Sequence, residues 1–126
     1  MARSALHSAR EALNGVMIPC GFTHGDFAPW NTCIRNGKLF VFDWESANWE
    51  LPLAWDLFHF ETQVECLLGK KGSAEARHGL RVEKQKYLFV LYLLHSVCDF
   101  VEEAGSESHA GVGHRYQRLA QELGRR

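Results

Sequence analysis

No sign of charge dominates this chain: 14 Lys and Arg stand against 15 Asp and Glu, a formal net charge of -1 over 126 residues. That balance supplies no long-range field to gather nucleic acid or anionic lipid, so a polyanionic partner is not expected. Long apolar runs are missing too. None approaches the roughly 20 residues that a membrane span requires, and the first residues read as an amphipathic helix rather than a signal peptide, which makes the cytoplasm the expected location. The four cysteines, Cys20, Cys33, Cys66 and Cys98, form no C-x-x-C pair. Their spacing argues against disulfides and a zinc knuckle and fits reduced, mostly buried thiols. Internal repeats and low-complexity tracts are absent.

What is present is the material of one ordinary domain. Apolar residues make up 46% of the chain, enough for a single core and too little for two. Residues 2–13 are rich in Ala, Leu, Arg and Glu and end at Asn14-Gly15, which predicts a short helix. Residues 16–23 are apolar with Pro19 and Gly21 among them, predicting a short, irregular strand that delivers His24 to a loop over 24–31. Residues 32–35 and 38–42 flank Asn36-Gly37, a strong signal for a β-hairpin. Residues 43–52 are polar and aromatic and end at Pro52. A helix is expected over 54–68, then a basic connection over 69–79. The longest core helix is expected over 80–103, with Tyr87, Leu88, Leu91, Leu94, His95, Cys98 and Val101 on its apolar stripe. A loop over 104–113 and a last short helix over 114–123 complete the reading.

His24-Gly25-Asp26-Phe27-Ala28-Pro29-Trp30-Asn31 fits H-x-D-x-x-x-x-N, the spacing of a kinase catalytic loop. Twelve residues after Asn31 comes Asp43-Trp44-Glu45, where kinases carry a second metal-binding acid. The hairpin between them supplies the geometry. With a three-residue loop Asn31 faces Asp43; with a two-residue loop on Asn36-Gly37 the register moves by one residue. Both registers bring Asn31 and Asp43 close, directly opposite residues having Cβ atoms roughly 5 Å apart, a spacing at which amide oxygen and carboxylate can share a hard divalent cation.

Taken together, residues 24–31 and Phe42-Asp43-Trp44-Glu45 resemble the two signature motifs of the aminoglycoside phosphotransferase and choline kinase superfamily. The motif-level likeness spans about residues 16–62, and 63–126 agrees only in being helical. The resemblance implies an α+β, predominantly helical fold, the C-terminal lobe of the protein-kinase-like architecture. Residues 1–126 form one domain in this reading, with the catalytic loop at 24–31, the metal motif at 43–45 and a helical remainder over 53–126. It implies ATP- and Mg²⁺-dependent transfer of a phosphoryl group to a hydroxyl of a small molecule. Asp26 is then the base or hydroxyl-orienting residue, and Asn31 and Asp43 bind Mg²⁺ and, through it, the nucleotide. His24 shapes the loop, and Asp56 on the following helix braces it. Phosphoryl transfer needs a metal to offset charge spread over oxygens and a carboxylate aimed at the nucleophile. Glu45 stands as either a metal contact or a solvated charge.

A complete kinase also needs a glycine-rich loop over the phosphates and a strand-borne Lys paired with a helix Glu. Only 23 residues precede His24, so the nucleotide-gripping lobe is expected to lie outside this sequence. A truncated product, a fragment or a chain that works with a partner is the corresponding expectation. Apolar surface left bare by that lobe would favour self-association. The alternative function is a non-catalytic, kinase-like remnant that acts as a binding or interaction module. Ordinary uses exist for each residue singly: an Asx-turn for Asp26, capping for Asn31, a satisfied strand-end carboxylate for Asp43. A metal-hydrolase reading, with His24, Asp26 and His59 on a transition metal, matches no zinc spacing and ranks last. Trp30, Trp44, Trp49, Trp55, Phe58 and Phe60 are expected in the core, and His95 as a hydrogen-bonded core histidine.

Overall fold

Alanine at positions 5 and 9 gives the first helix one face without bulk, and that face is what it buries. Helix α1 (Ala2–Leu13) ends at Gly15, whose φ of +71° is the left-handed cap that glycine adopts at least cost. In this computed structural model, which describes residues 2–68 and 82–103, the chain divides into two compact units. The first comprises residues 1–16 and 74–126, the second residues 17–73.

In the first unit Ala5 and Ala9 pack with Val90 and the half-buried Tyr87, Leu91 and Leu94 of helix α3 (Val82–Glu103). Leu88 of the expected stripe is buried, and burial on α3 extends beyond that stripe to Gln85, Tyr92 and Leu93. His95 and Cys98, both expected inside, are exposed, and His95 Nδ1 pairs with Asp99 Oδ2 at 2.7 Å, one turn on. The reason is visible in the sequence. Residues 88–94 are seven consecutive apolar residues and place an apolar side chain on every side of the helix, so spacing alone does not select the buried face.

The second unit is built from two small antiparallel sheets and one helix. Strand β1 (Cys20–Thr23) pairs with β4 (Asn48–Pro52), with Cys20 opposite Pro52 and a bulge between Gly21 and Thr23. Strand β4 lies within the polar, aromatic stretch that gave no strand signal. Its Pro52, which has no N–H to donate, falls at the strand's end, where a sheet tolerates it. Strands β2 (Thr32–Arg35) and β3 (Lys38–Val41) form the expected hairpin. Arg35 pairs with Lys38, and Asn36 and Gly37 have φ of +53° and +71°. Two central residues at positive φ are what a type I′ turn requires, because that turn follows the right-handed twist of its strands. The hairpin therefore has the two-residue loop. Thr32 faces Val41, and the Phe42 N–H donates to the Asn31 carbonyl at 3.1 Å, leaving Asp43 one residue beyond Asn31's opposite number.

Helix α2 (Trp55–Leu68) buries Trp55, Phe58 and Thr62, which are three and four residues apart and share one face. Asp56, His59 and Gln63 occupy the adjacent face by the same spacing. Trp55 and Phe58 lie in the core as expected, whereas Trp30, Trp44 and Trp49 are exposed, Trp49 to 73%. Cys20 and Cys33 are likewise exposed free thiols, not the buried ones expected. All except Trp44 and Trp30 lie on strands of two-stranded sheets, too narrow to be covered on both faces. Residues 69–81 and 104–126, with the expected connection, loop and final helix, lie outside the described residues. No helix among the described residues is long and apolar enough to cross a membrane.

The turn fixes the register that sets Asp43 one residue beyond the position opposite Asn31, and Gly37 is a demanding position in it. Gly37→Val puts a β-branched side chain at φ +71°. It should lower stability by about 1–2 kcal/mol, read as a reduced urea midpoint at unchanged slope.

Candidate functional site

The loop over 24–31 is held from below by one carboxylate. Asp56, in the first turn of α2, accepts the His24 N–H on Oδ2 at 2.7 Å and the Gly25 N–H on Oδ1 at 3.0 Å. A carboxylate at a helix N-terminus is favoured by the helix dipole, and two charge-assisted bonds to successive N–H groups fix the loop's direction as well as its position. Gly25 has a φ of +84°, and a Cβ there would run into the Ser46 carbonyl oxygen, so the loop and the segment after the hairpin touch at a point only glycine allows.

His24 carries the next link. It is 2% exposed; its Nε2 lies 2.9 Å from the Phe42 carbonyl oxygen, and the Asp26 N–H points to its Nδ1 at 3.3 Å. A carbonyl can only accept, so the proton sits on Nε2 and Nδ1 is the acceptor. Both ring nitrogens are thus engaged by backbone groups of the loop and the hairpin. Its ring packs on Trp44 at 4.6 Å and meets Phe27 edge-on at 6.1 Å.

Asp26 is held at both carboxylate oxygens. Asn31, buried at the end of a short 3-10 turn (Pro29–Asn31), donates from Nδ2 to Asp26 Oδ2 and to the Asp26 main-chain oxygen, both at 2.9 Å. His59 Nε2 lies 2.8 Å from Asp26 Oδ1. The Asp26 side chain nevertheless remains 40% exposed, so it is reachable from solvent. Each carboxylate oxygen has lone-pair capacity for a further donor.

The metal ligands expected from the sequence stand as follows. Both Nδ2 protons of Asn31 are spent on Asp26, which turns its Oδ1, a hard oxygen, to other uses. Asp43 follows the end of β3 at a φ of +65°, an uncommon left-handed conformation for a residue with a side chain, though Asp is among the more tolerant. On one side Phe42 is tied to Asn31 and His24; on the other the Trp44 Nε1–H donates to the Val41 carbonyl at 2.9 Å. Asp43 is exposed. Glu45 is exposed too, in the turn closed by the Ala47 N–H to Trp44 carbonyl bond of 3.1 Å, and takes no part in the bonds that join Asp26, Asn31, His24 and Asp56. Among the described residues no group of three or more His, Cys, Asp and Glu side chains converges as a metal cage. An amide oxygen and a carboxylate on adjoining positions suit a cation that keeps waters and takes phosphate oxygens for the rest of its shell, as Mg²⁺ does.

The phosphotransferase motifs left His59 out; only the last-ranked metal-hydrolase reading set it beside Asp26, where the structure puts it. Its spacing from Asp56, three residues along α2, was the available signal, since any residue there shares the face that braces the loop. Burial pulls the His59 pKa below its usual 6.5; the charge and hydrogen bond of Asp26 and the charge of Asp56 pull it up, and His24 adds a smaller downward push. No family model, curated protein or solved structure matches the chain.

Replacing Asp56 by Ala leaves two loop N–H groups without their acceptor. It should cost about 3 kcal/mol, read by urea unfolding, with Asp56→Asn, which keeps one acceptor oxygen, costing less. A second expectation follows from His59. A histidine whose pKa is lowered by folding binds its proton more readily when unfolded, so its contribution is complete above pH 6.5 and is lost as pH falls from 6.5 through the lowered folded value. The urea midpoint should decline across that interval, and His59→Gln should remove that part of the decline.

Proposed function

We propose that the chain carries the catalytic and metal-binding half of an ATP- and Mg²⁺-dependent phosphotransferase, acting on a hydroxyl of a small molecule in the manner of aminoglycoside, choline or sugar kinases. The observation that carries this reading is the Asp26 carboxylate, fixed at both oxygens yet open to solvent, on a loop joined by Asn31 to the end of the hairpin that bears Asp43. In this reading Asp26 accepts the hydrogen bond of the incoming hydroxyl and points its oxygen at the phosphorus. Asn31 Oδ1 and Asp43 would hold Mg²⁺, which offsets the charge on the phosphate oxygens when bound. Asp56 and His24 keep the loop in place and touch no reactant. Glu45, exposed in the turn after Asp43, would serve either as a further metal contact or as a solvated charge. The nucleotide's base and sugar are gripped by groups other than those of this loop and hairpin.

A second reading, a kinase-like module that binds a partner without transferring phosphate, is favoured by the apolar side chains on the hairpin. Ile34, Leu39 and Phe40 are all exposed, with Ile34 at 78%. Ile34 and Leu39 are cross-strand partners on one face of the hairpin, and an exposed apolar pair of this kind suits an interaction surface.

Isothermal titration with ATP separates the two, run with and without Mg²⁺ on this chain and on Asp43→Ala at matched concentration and known oligomeric state. The phosphotransferase reading expects nucleotide binding that requires Mg²⁺ and is lost in Asp43→Ala. No binding, or binding indifferent to Mg²⁺ and to Asp43, favours the module.

A further inference from the structure

The Asp26 carboxylate is gripped by two groups that reach it from different elements. One, Asn31, belongs to the loop's own 3-10 turn; the other, His59, comes from the middle of α2. We propose that His59 is the positioning residue of Asp26, its Nε2–H setting the rotation of the carboxylate about the Cβ–Cγ bond and so the direction in which a free lone pair meets an incoming hydroxyl. This rests on the phosphotransferase reading of the site and adds to it the residue that aims its acid.

The geometry argues for aim rather than for mere packing. A carboxylate held at one oxygen can still swing the other through a wide arc; held at Oδ2 by Asn31 at 2.9 Å and at Oδ1 by His59 at 2.8 Å, it cannot. The two donors are themselves fixed. Asn31 is buried and bonded twice to Asp26, and the His59 ring is largely buried. Asp56 lies on the same face of α2, so the helix that anchors the loop's backbone also orients its acid. Any shift of α2 relative to the loop is then felt at the reacting group, where a displacement of 1 Å can cost on the order of a hundredfold in rate.

A neutral ring suits this task. Burial outweighs the pull of the two carboxylates on His59, so near neutral pH the ring donates a hydrogen bond without bringing a positive charge against Asp26. The acid is turned while its negative charge stays available to a hydroxyl.

Two measurements test the proposal, one of the contact and one of its consequence. In ¹⁵N spectra of the histidine rings the wild-type chain should show His59 as the Nε2–H tautomer. In Asp26→Ala the signal should move towards a tautomer mixture and titrate at lower pH, because the partner that favoured the proton is gone. An unchanged His59 signal overturns the contact whatever the activity. For the consequence, ATP with Mg²⁺ and water as phosphoryl acceptor serve as the probe, read as release of inorganic phosphate. His59→Phe, which keeps a ring and removes the donor, should lower kcat about 10- to 100-fold with the KM for ATP unchanged. His59→Gln, whose amide reaches the same place with an N–H, should recover most of it. A kcat unaffected in His59→Phe, a change confined to KM, or a loss that Gln does not recover overturns the positioning role. A wild-type chain that releases no phosphate above the Asp26→Ala blank overturns the phosphotransferase reading and the role with it, while the ring spectra still judge the contact.

Discussion

The rest of the candidate site hangs on one carboxylate that reacts with nothing. Asp56 takes the N–H groups of His24 and Gly25, and every later contact in the loop presupposes that the chain turns there. Once it does, His24 comes within reach of the Phe42 carbonyl, Asp26 lays its N–H on the His24 ring, and Asn31 bonds back to Asp26. The links run in series. A break at the first exposes two backbone donors that no neighbouring strand can satisfy, since this segment of the loop pairs with no sheet. The brace also costs little to install. Its charge sits in the first turn of α2, where four N–H groups lack helical partners and a negative side chain is favoured.

The hairpin contributes a different kind of constraint, one of register. A type I′ turn admits a single pairing, and that pairing decides that Asn31 bonds to Phe42 and that Asp43 is the first residue free of the ladder. Asp43 then takes a left-handed conformation that costs on the order of 1 kcal/mol for a residue with a Cβ. Strain of this size persists where neighbours over-determine it. Here they do so through Phe42, bound to both Asn31 and His24, and through the Trp44 indole on the Val41 carbonyl. Loop and hairpin therefore lock each other: His24 bonds to the residue before Asp43, and Gly25 makes room for the Ser46 carbonyl three residues after it.

Much of this was legible in the residues. Asn36-Gly37 announced the hairpin because few other pairs adopt two positive φ values, and the helix over 2–13 was announced by Gly15 at its end. Four of the bonds within the site join residues already named as site residues: His24 to Asp56, Asp26 to His24, and Asn31 twice to Asp26. What escaped had no local signal. Strand β4 is made of Asn, Trp, Glu, Leu and Pro and becomes a strand because β1 lies beside it, a long-range pairing that no short window contains. The buried face of α3 escaped because seven apolar residues in a row erase the periodicity that would select it. The exposed tryptophans escaped because burial is a property of layers, and two-stranded sheets do not make enough of them. The phosphotransferase motifs left His59 out, and only the last-ranked metal-hydrolase reading grouped it with Asp26, because the two are 33 residues apart in the chain and the fold brings them together.

That separation bears on how such a site tolerates change. In the proposed phosphotransferase, residues 24–31 and 43–45 would provide the groups that meet a substrate, whereas Asp56 and His59 would orient them from a helix that meets none. Substitutions in the loop and hairpin would therefore alter chemistry directly. Substitutions on the α2 face act through geometry, and the two α2 residues act on different atoms: Asp56 on main-chain nitrogens, His59 on a side-chain oxygen. The first sets where the loop is; the second sets which way its acid points. A carboxylate aimed by a buried, uncharged ring keeps its own charge for the hydroxyl it is proposed to meet, which a lysine or arginine at position 59 would not allow. The proposed chemistry would need the α2 face to be polar at 56 and 59, while the core needs it buried at 55, 58 and 62. On one helix those two requirements are compatible only because the two sets fall on adjacent faces.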